Sequence, residues 1–448
     1  MVSRRVRRRR QQVAVVGGLI FLLLIYVVFL SGGTKKPAKT SSAGTHHTVV
    51  TFPSHSPLNP NWTGDGKAVT LAFGGDVHFE GAVGARLTQN PATALGNTVA
   101  QLLGGAQVRM VNLESAVTTS TCPTPQPKPY IFYAPATALT ALHNASVTVA
   151  SQANDHGLDC GTAGLTQDLA AAQTANFPII GIGNTAAQAF APYRTTVNGQ
   201  RIAIIAATQV IAANLVSTWT ASTTQPGVAS ALDPTELIKA VQQARRTSDT
   251  VVVYLHWGTE LATCPDAQQV PLAQELVNAG ADIVIGTNAH VLQGAGYMGD
   301  AYVDYGLGNF AFYDNTAPET DSGSLLVTAV GRHITSPVWR PATDLNGLPE
   351  PLSGTPMTTA LASWNAARSC TGLTVTPSSS LASEKGETAP FVAPTTTTTV
   401  PAAATTTTTA PAAGARTTTT TTTATTGAKT TTTTKPPSTT TAPTDNAG

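Results

Sequence analysis

Residues 69–78 read VTLAFGGDVH, an apolar run that ends in two glycines, an aspartate and a histidine. The run VTLAF has the length and composition of a β-strand that is buried on both faces. The pair Gly74-Gly75 predicts a tight turn out of this strand, and its spacing does not fit a dinucleotide-binding loop. Two side chains capable of chemistry, Asp76 and His78, therefore come at the carboxyl end of a predicted core strand.

The same arrangement recurs along the chain. Further apolar runs alternate with amphipathic helical patterns at 163–175, 233–246 and 267–279. This alternation predicts an α/β domain whose central strands are buried on both faces. From about residue 297 short strand patterns replace the helices and indicate an antiparallel edge. The predicted strands are VRMVNLE at 108–114, VTVAS at 147–151, RIAIIAAT at 201–208, TVVVYLHW at 250–257 and DIVIGT at 282–287.

Acids, amides and imidazoles stand at the ends of five of these strands. In α/β sheets the carboxyl ends of the strands form the ligand crevice, so we expect these side chains on one rim. A single histidine is more often a hydrogen-bonded structural residue, but four of the nine histidines lie at these ends with three carboxylates. Imidazole and carboxylate together predict a divalent metal site for Zn, Mn or Fe rather than Ca. The residues are Asp76, His78, Glu114, Asn154, Asp155, His156, His256, Asn288 and His290.

The amino-terminal region has the pattern of a membrane anchor. Six arginines lie within residues 1–12, the predicted cytoplasmic segment, and an uncharged apolar run follows at 13–30. Eighteen helical residues rise about 27 Å, just enough for the hydrocarbon core of a bilayer. The arginines favour a cytoplasmic amino terminus. A cleaved signal peptide is the alternative, but no A-x-A-like cleavage site follows Leu30. We therefore expect a single-pass protein of the cell membrane whose later residues are extracytoplasmic.

Composition divides the rest of the chain. Residues 31–67 are rich in Ser, Thr, Pro and Gly and predict a flexible stalk, whereas 389–448, mostly Thr, Ala and Pro, predict a disordered tail. Between them we expect a domain at 68–345 with a C-terminal extension at 346–388. Residues 40–388 hold 13 basic and 23 acidic residues, a balance of −10. This charge argues against nucleic acid as a partner.

Four cysteines fit an extracytoplasmic domain, where disulfides persist. They allow three pairings that the sequence does not distinguish, and buried free thiols are the alternative. Because Cys122 and Cys160 follow two neighbouring site strands, we predict that they pair. Cys264 and Cys370 would then form the second bridge.

Seven stretches of this sequence resemble the CapA family of capsule and poly-γ-glutamate synthesis proteins. That family is a branch of the calcineurin-like metallophosphoesterase fold, a sandwich of mixed sheets flanked by helices. Most of the stretches are weak individually, but seven in the family's order over about residues 69–313 make a specific pattern. They are GGDVHFEG, VNLESAVT, SQANDHGLDCGTAGL, GIGNTAAQAFAP, VVVYLHWGTEL, AGADIVIGTNAHVLQG and YVDYGLGNFAF.

The resemblance implies a site for two divalent ions. Asp76, His78 and His290 would hold one ion, and Glu114 would bridge it to the second. The chain keeps the D-x-H pattern of metallophosphoesterases at Asp76 and His78, where many CapA-like sequences have a non-ligand. We therefore expect the first ion to bind tightly.

The second ion has a weaker implied ligand set. Asp155 or Asn154, His256 and Asn288 would hold it. The family usually reads N-N-H where this chain has NDH at 154–156, and H-P-H where it has NAH at 288–290. A neutral amide is a poor donor to Zn and is better tolerated by Mn. The resemblance thus implies one or two ions, the second bound less tightly.

Two further residues are implied to act on the substrate. His156 would be the general acid or an oxyanion stabiliser, and Asn309 would contact substrate, with a turn-forming asparagine as the alternative. The implied function is a membrane-anchored, metal-dependent hydrolase in poly-γ-glutamate or capsule polymer synthesis or export. Its partners would be an anionic envelope polymer and capsule-synthesis membrane proteins. The competing hypothesis is a non-catalytic scaffold that grips the polymer through metal.

Overall fold

The structure is a computed structural model that describes residues 67–119, 121–313 and 316–378. The predicted basic segment, the anchor at 13–30, the stalk up to residue 66 and the tail at 389–448 lie outside these residues. Within the described part of the chain, no helix is both long enough and apolar enough to span a bilayer.

Eighteen strands and nine α-helices make up the described part of the chain. The strands are β1 (Val69–Val77), β2 (Val108–Leu113), β3 (Ala116–Thr118), β4 (Tyr133–Pro135), β5 (Val149–Ser151), β6 (Ile179–Ile180), β7 (Ile182–Gly183), β8 (Tyr193–Val197), β9 (Gln200–Thr208), β10 (Gly227–Val228), β11 (Thr250–His256), β12 (Ile283–Thr287), β13 (Ala295–Met298), β14 (Ala301–Asp304), β15 (Asn309–Ala311), β16 (Asp321–Val330), β17 (His333–Asp344) and β18 (Pro349–Pro351). The helices are α1 (Gly81–Gln89), α2 (Gly96–Leu102), α3 (Thr137–Asn144), α4 (Gly161–Ala175), α5 (Ala186–Ala189), α6 (Val216–Trp219), α7 (Thr235–Arg245), α8 (Gln269–Ala279) and α9 (Gly354–Ala367).

The larger strands form two mixed sheets. The first has the order β18-β17-β16-β1-β2-β5-β6, with β15 also paired to β1. Its strands β1, β2, β5 and β6 are parallel, and β16 to β18 run antiparallel. The second has the order β13-β14-β12-β11-β9-β8, with β9, β11, β12 and β14 parallel. The antiparallel pattern predicted after residue 297 is thus divided between the two sheets.

The two sheets pack face to face. Along each central strand the apolar side chains alternate between a core shared by both sheets and an outer core beneath helices. In β1, Val69, Leu71 and Phe73 join the core between the sheets, with Tyr254 and Ile285 opposite. The intervening side chains of β1 and β2 pack outward under α1 to α3, and those of β11 and β12 pack under α7 and α8. This four-layer arrangement explains why the central strands are apolar on both faces, as the sequence predicted.

The described part of the predicted extension belongs to the same packed body. Strand β18 pairs with β17, and Trp364 of α9 stacks on Trp339 at 5.6 Å between ring centroids. A disulfide joins Cys370 to Cys264. A second joins Cys122 to Cys160, so both predicted pairings are confirmed.

Candidate metal centre

The carboxyl ends of strands from both sheets meet at one edge of the sandwich. Asp76 lies at the end of β1, Glu114 follows β2, and residues 154–156 follow β5. Across the junction, His256 ends β11 and residues 288–290 follow β12. The backbone N–H of Asn288 donates to Asp76 Oδ2 at 3.2 Å, which joins the two sheets directly. The crevice expected at strand ends is therefore built by two sheets rather than one.

The glycine pair at the end of β1 allows another strand to come close. A Cβ at Gly75 would lie 1.8 Å from the carbonyl oxygen of Gly308. Without that Cβ, the N–H of Asp76 donates to the same carbonyl at 3.0 Å. The residue pairing places Asp76 beside Asn309 of β15. The prediction of a turn at Gly74-Gly75 is therefore wrong: strand β1 continues through both glycines, which allow the close approach of two backbones.

An asparagine in β2 connects the buried carboxylates. Asn112 Nδ2 lies 2.9 Å from Asp76 Oδ1 and 3.3 Å from Glu114 Oε2. Its Oδ1 accepts from Asn154 Nδ2 at 2.9 Å, and Asn154 also donates to the Leu113 carbonyl. Asn112 and Asn154 therefore form a buried support behind the acids. This places Asn154, one of the two alternatives for the second ion, in a supporting position and leaves Asp155 at the crevice.

His290 and Asn309 form a pair on the other side. His290 Nδ1 lies 2.8 Å from Asn309 Oδ1, so Nδ1 donates and Nε2 faces Glu114 Oε1 at 3.7 Å. Burial alone would lower the pKa of His290, but Asp76 and the bond to Asn309 outweigh it and raise that pKa. Asn309 is fully buried, and its Nδ2 donates to the Glu319 carbonyl. The amide of Asn309 thus orients His290, and its contact with substrate stays a prediction.

His256 is oriented by the same kind of contact. Its Nδ1 lies 3.1 Å from Thr287 Oγ1, and that hydroxyl donates to the Leu255 carbonyl. Asn112 Nδ2, which can only donate, also lies 3.2 Å from Nδ1, so these contacts fix the direction of the ring rather than its tautomer. Nε2 faces Asp155 Oδ1 at 3.1 Å, and a ring held in this way suits a metal-binding histidine.

His78 lies in an aromatic enclosure beside the carboxylates. Its ring stacks on Phe312 at 4.0 Å between centroids and meets Phe132 edge-on at 4.9 Å. The side chain is fully buried, and neither ring nitrogen has a hydrogen-bond partner. Burial, with His156 and His290 nearby, lowers its pKa to about 3. The imidazole is therefore neutral, as a metal ligand must be, and its two nitrogens are buried at a cost unless something binds them.

Asp155 and His156, the predicted ligand of the second ion and the predicted proton donor, both lie at the crevice. His156 Nδ1 is 2.5 Å from Asp159 Oδ2, so Asp159 holds the Nδ1–H and directs Nε2 toward Asp155 Oδ2, 3.4 Å away. Burial alone would raise the pKa of Asp155, but His156, His256 and Lys128 hold it below its usual range. Asp155 is therefore ionised.

The donor set fits divalent metal ions. Two groups among the described residues have ligand atoms within 4.8 Å of one another: Asp76, Glu114 and His256, and Glu114, Asp155 and His156. Glu114 belongs to both, which is the position a bridging carboxylate would have. Burial, then Asp76 and Asp155, raise the pKa of Glu114 well above its usual value. Closely spaced buried acids of this kind are stabilised by a bound cation.

Asn288 and His290 have backbone conformations that few residue types adopt easily. Their φ angles are 89° and 57°, in the left-handed region. Asn288 Nδ2 donates to the carbonyls of Trp257 and Gly258 at 3.3 and 2.9 Å. These bonds hold the loop after β12 against the end of β11. Such strained conformations cluster at functional sites, where surrounding contacts maintain them.

Sequence reasoning missed four residues that shape this site: Asn112, Lys128, Phe132 and Asp159. Asp159 could have been found, because it lies three residues after His156 in NDHGLD, a spacing that lets two side chains meet. Asn112 lies inside a strand, and Lys128 and Phe132 come from a proline-rich loop. Their local sequence carries no signal, since only the fold brings them to the site.

Several curated relatives match this chain at 30% identity or more, and two of them are capsule or PGA biosynthesis proteins. One is "Capsule biosynthesis protein CapA" of Bacillus anthracis, 33% identical over 186 residues, which are 41% of this chain and 44% of the relative. The other is "PGA biosynthesis protein CapA" of Bacillus subtilis, 31% identical over 206 residues, 45% of this chain and 53% of the relative. The chain thus spans about half the length of these relatives.

A solved structure described as a novel phosphatase from Mycoplasma pneumoniae aligns with a TM-score of 0.39 and 13% identity, covering 62% of this chain and 94% of that one. At that score the likeness supports no conclusion about activity. A sequence model described as "Bacterial capsule synthesis protein PGA_cap" matches residues 70–314, more than half of the chain and all of the strand ends described above. The chain therefore belongs to the PGA_cap family of bacterial capsule synthesis proteins.

Proposed function

We propose that this protein is a metal-dependent hydrolase of the cell envelope that acts in the synthesis or export of poly-γ-glutamate or a related capsule polymer. The observation that carries the proposal is the pair of overlapping donor groups that share Glu114. Two more features support it: family membership and a histidine whose ring nitrogen is held by a buried aspartate. Together they supply ligands, a proton donor and a biological setting.

Four buried acids define what the site can bind. Asp76, Glu114 and Asp159 are almost fully buried, and Asp155 is 24% exposed. An anionic polymer would be repelled by these side chains alone. Divalent ions bound there would supply hydroxide near neutral pH and positive charge for the oxygens of a phosphoryl or acyl group. Asp76, Glu114, Asp155, His78, His256 and His290 are the residues that would hold them.

His156 would handle the proton. Asp159 accepts its Nδ1–H at 2.5 Å, which leaves Nε2 as the atom that faces the crevice. A proton on Nε2 can pass to the departing oxygen or nitrogen as the scissile bond breaks. Phe132 stacks on the His156 ring at 3.9 Å and limits its rotation. His156 thus has a fixed direction for the transfer.

The location and partners are part of the proposal. We place the domain outside the cytoplasm, on an anchor at residues 13–30, because six arginines precede that apolar run and the domain carries two disulfides. In that position the site would meet an anionic envelope polymer and the membrane proteins that make or export it.

The test uses the full chain in detergent. Mn²⁺ binding is measured by calorimetry, and turnover with p-nitrophenyl phosphate, bis(p-nitrophenyl) phosphate and poly-γ-glutamate, the last by size exclusion. His156→Ala should keep Mn²⁺ binding and lose about 100-fold or more of the turnover. His143→Ala, an exposed histidine at the end of α3, is the matched control and should change neither.

The outcomes separate the two hypotheses. If the protein binds Mn²⁺ and polymer but hydrolyses none of the three substrates, it is the non-catalytic scaffold. If it binds no metal, both hypotheses are wrong.

A further inference from the structure

The loop between β3 and β4 folds back over the residues that hold His156. The disulfide between Cys122 and Cys160 ties the loop to the residue after Asp159. The N–H of Gln126 donates to the Asp159 carbonyl at 2.9 Å, and the N–H of Phe132 donates to Asp159 Oδ2 at 2.6 Å. This covalent and hydrogen-bonded frame fixes the loop where its only lysine can reach the site.

That lysine, Lys128, lies between two acids. Its Nζ is 2.9 Å from Asp159 Oδ1, in the geometry of an ion pair rather than an aligned hydrogen bond, and 3.6 Å from Asp155 Oδ2. It also donates to the backbone carbonyl of Asp155. The ring of Trp219 lies 5.4 Å from Nζ on another side. The ammonium group therefore spans the carboxylates on either side of His156.

We propose that Lys128 is a positioning residue of the site, which fixes the direction of the His156 ring by tying together Asp155 and Asp159. The inference rests on the proposed function and adds a residue that the sequence did not suggest. Only 7% of its side chain is exposed, and its Nζ also lies 3.2 Å from His156 Nδ1, so Lys128 acts on the ring through the two acids and by direct contact.

Its charge is what the two acids require. Among the ion pairs of the described residues, Asp155 and Asp159 contact Lys128, His156 and, for Asp155, His256. Lysine offers the two carboxylates an ammonium group that only donates, whereas a histidine ring can also accept. Without it, two carboxylates would compete for the ring of His156. With it, Asp159 accepts from Nδ1 and Asp155 remains available at Nε2.

The test compares Lys128→Met, Lys128→Arg and Lys239→Met in the full-length protein in detergent. Lys239 is the matched control, since 57% of its side chain is exposed and it pairs with Glu236 on α7. The first measurement is the ¹⁵N spectrum of the histidine rings at pH 8 without metal, with the His156 signal assigned from a His156→Gln sample. The second is the Mn²⁺ dissociation constant by calorimetry.

We expect wild type, Lys128→Arg and Lys239→Met to show His156 as the single Nδ1–H tautomer. Lys128→Met should show a mixture of tautomers and should bind Mn²⁺ as wild type does, because His156 is not a ligand in the proposed function. Rescue by arginine identifies charge, rather than packing, as the contribution.

Two results would overturn the proposal. One is an unchanged His156 spectrum in Lys128→Met, and the other is the same mixture of His156 tautomers in the methionine and arginine variants. If Lys128→Met does not fold, Lys128→Gln takes its place with the same expectations. The spectrum needs neither metal nor turnover. If the protein has no hydrolase activity, the proposed function is wrong, and the spectrum still tests the role of Lys128.

Discussion

The two sheets contribute unequal chemistry to the same crevice. The ends of β1, β2 and β5 in the first sheet supply four carboxylates and two imidazoles: Asp76, Glu114, Asp155, Asp159, His78 and His156. The ends of β11 and β12 in the second sheet supply two imidazoles and an amide: His256, His290 and Asn288.

This division teaches that the first sheet carries most of the donor atoms and that the second sheet supplies the histidines that complete the site. On the first-sheet side, negative charge accumulates in a buried place and raises the pKa of Glu114. On the second-sheet side, His290 approaches Asp76 and Glu114 at 3.6 and 3.7 Å, and His256 approaches Asp155 at 3.1 Å. The packing of the sandwich therefore brings each acid to a nitrogen donor, and a cation between them would relieve the remaining repulsion.

The largest effect on Mn²⁺ binding is expected from Asp76→Asn, because Asp76 contacts residues of both sheets. It contacts Asn112 on its own sheet and Asn288 and His290 on the other. We expect Mn²⁺ affinity to fall by about 100-fold or more in calorimetry. In excess chelator the variant should melt at the same temperature as wild type or higher, because one of the crowded buried charges is gone.

The matched control for Asp76 is Glu236→Gln, a surface acid on α7 whose side chain is 57% exposed. It should change neither measurement. Mn²⁺ affinity retained in Asp76→Asn would remove Asp76 from the ligand set and contradict the division between the sheets.

The second effect concerns the pH dependence of stability. It tests whether the first sheet holds buried acids with raised pKa values outside the crevice. Burial raises the pKa of Asp168 in α4 to about 8 from 3.8, against the bonds it accepts from Val117 N–H and Gln152. The folded state thus holds this proton more tightly than the unfolded state. Stability is greatest below about pH 4 for this group and declines as the pH rises toward 8 and above.

Between pH 5 and pH 9 the unfolding free energy of wild type should therefore fall by about 4 kcal/mol more than that of Asp168→Asn. Urea unfolding with the disulfides intact measures both proteins. Some decline remains in both proteins, since burial also raises the pKa of Asp304 to about 8. Parallel pH profiles for the two proteins would show that Asp168 titrates normally.

The site residues of the two sheets differ in whether they could be predicted from the sequence. The strand ends that carry Asp76, Glu114 and His256 were readable because each polar residue interrupts an apolar run, a local signal. Tyr254 and Asn112 lie inside runs, so their roles depend on which strand faces them. Lys128 lies in CPTPQPKPYIF, which has no periodicity, and a disulfide places it. The strand pattern did not reveal the division into two sheets, because parallel strands of one sheet or two have the same apolar pattern. Only the family resemblance implied a sandwich.

The third effect concerns the weakest donor of the second sheet. Asn288→His would replace an amide with an imidazole, a better donor to Zn or Mn, and should tighten the weaker of two Mn²⁺ binding steps about tenfold. It should also destabilise the metal-free protein by about 1 kcal/mol, because φ is 89° there and asparagine tolerates that region better. Calorimetry and chelator melts measure the two. An unchanged weaker step would show that residue 288 does not face the ion.

The smallest effect should come from the hydrogen bonds that hold the two sheets together. Tyr254 of β11 donates its hydroxyl to the Gly74 carbonyl of β1 at 2.6 Å, two residues before Asp76. Tyr297 of β13 makes the same kind of bond to the Ile334 carbonyl of β17 at 3.1 Å. Replacing either tyrosine with phenylalanine leaves a buried carbonyl without this partner and should cost about 1 kcal/mol of unfolding free energy.

The two variants should differ at the metal centre. Tyr254→Phe loosens the end of β1 against β11 and should weaken Mn²⁺ binding about threefold, whereas Tyr297→Phe, with its bond on other strands, should leave it unchanged. Urea unfolding and calorimetry on both proteins measure this contrast. Equal Mn²⁺ affinities would mean that the crevice tolerates movement between the sheets, and that its geometry is set by the bonds of Asp76 to Asn112 and Asn288 alone.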